Sequence, residues 1–180
     1  MRQNQEVMIT NESVEQACNE VSEYSEEQMA SEFERFFQTQ PDLCEFITEL
    51  TTESEQRIQE LALFLSYMVY KVVEAARPAG IAVVSHETIE AAFHQSNNWI
   101  EKMNEAPSED ISSSILSGLA TETEPHLLQY IISEINEPLE DGTQLADEQK
   151  GEVFFVLKTV ISSLSEKPLE ERKIIITDSE

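Results

Sequence analysis

The stretch LALFLSYMVYKVVEAA, residues 61–76, constrains the fold more than any other part of the sequence. Apolar side chains recur along it at helical spacing, and Phe64, Tyr67 and Val69 extend the apolar surface almost around the helix. A helix with so little polar surface is buried among other elements. The segment EVFFVLKTVISSL, residues 152–164, has the same character. The sequence therefore predicts two central helices that pack against each other.

Similar sequences precede these two apolar segments. SEEQMASEFERFFQTQPDLCEFITEL aligns with SEDISSSILSGLATETEPHLLQYIISEI when one residue is inserted before the proline. Pro41 and Pro125 both suit the first turn of a helix, where the N–H that proline lacks would have no partner. We therefore predict an internal duplication over residues 25–76 and 108–164, in which each copy contains a helix, a short helix begun by proline and a central helix. Chance similarity between two helical hairpins is the alternative.

The rest of the sequence also favours helices, since the chain of 180 residues contains only 4 glycines. A helix is expected over residues 13–24, and Ser85 can cap another over 85–105 that joins the two copies. The run IAVV, residues 81–84, has no obvious partner strand and is predicted to be an apolar connector. The tail, 166–180, is expected to be extended.

These patterns predict an all-α fold, either a helical bundle or a short helical-repeat, solenoid-like domain with an internal duplication. Residues 1–180 are expected to form one domain, as their number permits. The tail contains the β-branched run Lys173–Thr177. Such a run could fold back on the surface of its own chain or add to the sheet edge of a partner, and we favour the first arrangement.

Charge restricts the partners of the chain. The sequence holds 36 acidic against 11 basic residues, a formal net charge of −25. A field of this sign repels nucleic-acid phosphates and anionic membranes and attracts basic protein surfaces. The most apolar run is too short to span a membrane comfortably and contains Lys71 and Glu74. With no apolar leader and no CxxC pair, we predict a reduced, cytoplasmic protein.

The longest stretch without lysine or arginine, residues 103–149, supplies the candidate partner-binding residues. If its acids lie on one side of the molecule, they form a docking face for a basic partner. The alternative is that glutamate, a good helix former, fills the polar helix faces. The candidates are Glu105, Glu109, Asp110, Glu122, Glu124, Glu134 and Glu137.

The sequence also contains a weak pattern for a metal site. Glu90, His94 and Glu101 fall on one face of a predicted helix and are weak candidate ligands. Helical di-metal proteins need two Glu-x-x-His pairs, which this sequence lacks. Cys44 aligns with Leu128 of the second copy, so it occupies a packing position and not a catalytic one. We therefore predict no catalytic residue, metal or cofactor.

The leading functional hypothesis is a non-enzymatic protein–protein interaction module with an acidic docking face. One alternative is a nucleic-acid mimic that inhibits a DNA-binding protein, which requires acids spaced like duplex phosphates. The other is a metal-dependent helical enzyme that uses Glu90, His94 and Glu101.

Overall fold

A computed structural model describes residues 9–77, 79–104 and 124–165 of the chain. These residues form seven helices and no strand, which confirms the prediction of an all-α fold. The helices are α1 (Asn11–Ser22), α2 (Glu26–Thr39), α3 (Pro41–Leu50), α4 (Gln56–Ala76), α5 (His86–Asn104), α6 (Pro125–Asn136) and α7 (Asp147–Ser165).

Local hydrogen bonds fix where the first two helices begin. The Ser25 hydroxyl accepts from the Gln28 N–H at 3.2 Å, and the Gln28 side chain accepts from the Ser25 N–H at 2.9 Å. This pair of bonds is a capping box, for which a serine followed three positions later by a glutamine is the sequence signature. Thr10 forms a similar box with Ser13, so α1 starts two residues before the predicted position.

The two apolar segments form α4 and α7, which pack directly against each other as predicted. Val69 of α4 and Val160 of α7 are both fully buried. On its other sides α4 contacts α1, α2 and α3, while α7 contacts α5 and α6. Phe64 departs from the expectation, because 36% of its surface is exposed on an outer face of α4. The described helices are therefore arranged as layers around one central pair.

The two helices begun by proline have matching local structure. The residues before the prolines, Gln40 and Glu124, have φ/ψ of −134°/58° and −131°/68°. Leu43 of α3 and its counterpart Leu127 of α6 are both fully buried. This match agrees with a duplication, but residues 105–123, which contain the start of the second copy, lie outside the described residues. The duplication as a whole therefore stays a prediction, and so does the extended tail 166–180, which also lies outside them.

A buried glutamine holds the connector between α4 and α5. The Gln40 side chain is 1% exposed; its Nε2 donates to the Ala82 carbonyl at 3.0 Å and its Oε1 accepts from the Val84 N–H at 2.9 Å. The amide thus makes the pair of bonds that a neighbouring strand would make. Residues 81–84 form neither helix nor strand, in agreement with the predicted connector.

Truncation of a central side chain should be costly. Leu65 of α4 is fully buried, so Leu65→Ala should lower the free energy of unfolding by about 2–5 kcal/mol through lost burial and the cavity that remains. Leu50→Ala is the matched control, because Leu50 is 36% exposed, and it should cost less than about 1 kcal/mol. Urea unfolding followed by circular dichroism measures both, and equal losses would contradict the central placement of α4.

Candidate docking groove

Among the described residues, an open groove of about 700 Å³ lies where the end of α3 and the following turn meet α7. We call it the docking groove. It combines apolar and acidic side chains, and none of the described residues that line it is basic. Its principal lining residues are Glu49, Leu50, Glu53, Ser54, Glu152 and Phe155.

Edge-to-face contacts between aromatic rings hold the apolar side of the docking groove. Phe155 of α7 meets Phe93 of α5 edge to face, with ring centroids 5.2 Å apart and planes at 82°. Phe93 in turn meets Phe46 of α3 at 6.2 Å and 81°. These T-shaped contacts are favourable geometries for aromatic pairs. They link three helices, so Phe155 has a fixed position beside the exposed Leu50.

Hydrogen bonds organise the turn that forms one wall. The Gln59 side chain donates to the Ser54 carbonyl at 3.0 Å and to the Thr52 carbonyl at 3.3 Å. The Ser54 hydroxyl donates to the Glu152 carboxylate across the junction with α7. The start of α4 is thereby tied to α7, and the wall does not have to be ordered when a ligand binds.

Three carboxylates, those of Glu49, Glu53 and Glu152, give the docking groove its charge. Glu49 and Glu53 form no ion pair with any described residue. The nearest cations along the chain have other partners: Arg57 lies 2.8 Å from Glu55, and Lys150 donates to Asn136 at 2.9 Å. A cation from outside the chain would therefore meet unpaired negative charge in the docking groove.

The densest cluster of ionisable groups lies elsewhere, between α1, α2 and α4. Arg35 of α2 binds Glu74 of α4 through two bonds of 2.6 and 2.9 Å, and it binds Glu32 through bonds of 3.1 and 2.8 Å. Lys71, only 11% exposed, lies 3.5 Å from Glu20 and 3.4 Å from Glu32. We call these five residues the ionic cluster.

Charges in the ionic cluster stabilise one another. The hydrogen bond from Arg35 lowers the pKa of Glu32 to about 2 against the opposing effect of burial, and it also lowers the pKa of Glu74. Burial opposes the charge of Lys71, but contacts with Tyr24 and Glu20 outweigh it and raise the pKa to about 12. Two bases are shared among three acids, and these contacts join α1, α2 and α4.

The acidic face predicted from the sequence falls mostly outside the described residues, since Glu105, Glu109, Asp110 and Glu122 belong to 105–123. The other three candidates lie on or beside α6. Glu124 precedes its first residue, whereas Glu134 and Glu137 lie near its end, about 18 Å away for a helix of 12 residues. Burial and the charge of Glu137 raise the pKa of Glu134. The structure thus brings Glu134 and Glu137 together and separates them from Glu124.

The docking groove was missed by sequence reasoning. No sequence pattern joins Leu50 to Glu152, about a hundred positions later. The available signal was weak: apolar Leu50 ends a helix and is followed by TTESE, which carries two of the chain's acids. Only the packing of α3 on α7 brings these parts together.

The weak metal candidates are spread along an exposed helix face. The His94 Nε2 lies 4.0 Å from the Glu90 carboxylate, and the two side chains are 69% and 65% exposed. The Glu101 carboxylate accepts a hydrogen bond from Asn97 at 3.0 Å. Within 9–77, 79–104 and 124–165, no three His, Cys, Asp or Glu side chains are placed to hold a metal ion.

Neither described cysteine has the surroundings of a nucleophile. Cys18 and Cys44 are free thiols, and Cys44 is 1% exposed. Burial raises the pKa of Cys44 to about 12, so the thiol stays protonated near neutral pH. Its placement matches that of Leu128, which is also 1% exposed, so Cys44 is a packing residue.

Comparison of the chain with protein-family models, with curated proteins and with solved structures found no match. Among the helices described here, none is long and apolar enough to cross a membrane.

The pKa of Glu32 predicts a specific dependence of stability on pH. Because the folded-state pKa lies below the ordinary value of 4.5, the ionised Glu32 stabilises the fold above about pH 5. This contribution should be lost as the pH falls towards 2. The stability difference between wild type and Glu32→Gln should therefore shrink by about 2 kcal/mol between pH 6 and pH 2.5, after allowance for partial exposure.

Denaturant unfolding at several pH values measures this difference. Acidification also relieves repulsion among the 36 acids, so the comparison between variants is more informative than either curve alone. Glu45→Gln removes the same charge from an exposed site on α3 and controls for that effect. A difference for Glu32→Gln that stays constant with pH would show that the ionic cluster does not stabilise the fold.

Proposed function

We propose that this protein is a non-enzymatic interaction module that binds a basic segment of another protein in the docking groove. The observation that carries the proposal is the combination of exposed Leu50 and the ring of Phe155 with three carboxylates in one preformed concave surface. The net charge of −25 would attract a basic partner before the two molecules touch, and would thereby speed their association.

The chemistry of the docking groove favours a particular kind of segment. Arginine and lysine have apolar stems and cationic ends, so one such side chain can cover Leu50 while its charge reaches Glu49 or Glu53. A neighbouring apolar residue would gain about 25 cal/mol for each Å² that it buries against Phe155. The ligand is therefore a short stretch in which basic and apolar residues adjoin.

The apolar floor also distinguishes this function from imitation of nucleic acid. A mimic of a duplex needs carboxylates in the places of phosphates and gains nothing from an exposed leucine. An aromatic side chain such as Phe155 is instead a residue type in which protein interfaces are enriched. This favours a peptide ligand.

A designed peptide tests the proposal. The probe is a ten-residue peptide of alternating arginine and leucine, and its binding is followed by changes in the NMR chemical shifts of ¹⁵N-labelled protein at 0.15 M salt. We expect the largest changes at Leu50, Glu53 and Phe155. A peptide with serine in place of leucine should bind at least tenfold more weakly, because the apolar contact is lost.

Charge reversal locates the site. Glu49→Lys with Glu53→Lys should weaken binding of the arginine–leucine peptide by at least tenfold. The matched control is Glu15→Lys with Glu34→Lys, which changes the net charge equally at exposed positions of α1 and α2 that do not line the docking groove. Equal weakening by both pairs would mean diffuse attraction to an acidic surface and would reject the docking groove as the binding site.

A further inference from the structure

The turn after α3, residues 51–54, supplies three of the residues that line the docking groove. The Thr52 N–H donates to the Glu49 carbonyl at 3.2 Å. The Ser54 N–H donates to the Thr51 carbonyl at 3.0 Å. The carbonyls of Thr52 and Ser54 accept no bond from the backbone of any described residue. They therefore need donors from side chains or from water if the turn is to keep one shape.

Gln59 of α4 supplies both of these donors. Its Nε2 donates to the Ser54 carbonyl at 3.0 Å and to the Thr52 carbonyl at 3.3 Å. One side chain can make both bonds because an amide nitrogen carries two N–H groups. Gln59 is half-buried and does not itself line the docking groove. It therefore acts on the docking groove through the backbone of the turn.

The two ends of the turn are held differently. The Ser54 hydroxyl is also bound to Glu152 of α7. Thr52 bonds otherwise only to residues of α3, through its N–H and its hydroxyl. Among the described residues, Gln59 thus makes the one hydrogen bond that joins Thr52 to a central helix. Loss of this amide would leave the middle of the turn without a tether to α4 or α7.

We propose that Gln59 is a positioning residue of the docking groove, an inference that rests on the function proposed above. Its amide holds residues 52–54 in the shape that receives the ligand, so the ligand does not have to order them on binding. Gln59 thus sets the affinity without touching the ligand. It carries no charge, so the attraction between a basic ligand and the carboxylates of the docking groove does not depend on it.

The variant Gln59→Met tests this inference, because methionine has a similar helix propensity but no N–H donor in its side chain. In the free ¹⁵N-labelled protein, the backbone order parameters of Glu53 and Ser54 should fall from about 0.85 to below about 0.6. The dissociation constant of the arginine–leucine peptide should rise at least fivefold at 0.15 M salt. Its dependence on salt concentration should stay unchanged, since the carboxylates remain in place.

The matched control is Gln56→Met, which removes the same amide from the same helix. Gln56 is exposed and donates to Glu60 at 2.7 Å, and it makes no hydrogen bond to the turn 51–54. Gln56→Met should therefore keep the wild-type order parameters of the turn and the wild-type affinity for the peptide.

The outcomes separate this inference from the proposed function. Unchanged order parameters in Gln59→Met would overturn the inference, and so would a less ordered turn with an unchanged dissociation constant. An equal loss of affinity in Gln56→Met would also overturn it. If the wild-type protein itself fails to bind the peptide, the proposed function is rejected and the inference falls with it.

Discussion

The packing of α4 on α7 is the interaction on which the other features of this molecule depend. Each helix carries apolar side chains on nearly every side, and neither could be exposed to water without a large loss of hydrophobic free energy. Their contact leaves outer faces that α1, α2, α3, α5 and α6 cover. It also sets the position of α3 relative to α7, and therefore the presence of the docking groove between them.

Charge in this protein has two separate roles. In the ionic cluster, partly buried acids and bases are paired at short distance and join α2 to α4. In the docking groove, acids stand without bases beside apolar side chains. The ionic cluster contains two bases for its three acids, whereas the described residues that line the docking groove include acids and no base. This difference, more than the net charge, distinguishes a structural cluster from a candidate binding surface.

The helices were predictable from the sequence because their signals are local. Ser25 with Gln28 and the first-turn position of Pro41 follow from residues within one turn, and the buried character of α4 follows from one helical stripe. The docking groove was not predictable, since it requires the relative position of Leu50 and Glu152. The role of Gln40 was also hidden, because a glutamine gives no sign that its amide will bind a backbone 42 positions away.

Methyl NOE spectroscopy on protein labelled at isoleucine, leucine and valine tests the packing of the two central helices most directly. The account predicts direct NOEs between methyl groups of α4 and those of α7, with Val69 and Val160 among residues fully shielded from solvent. Spectra in which the methyl groups of α4 and α7 each show NOEs to other helices but none to one another would contradict it.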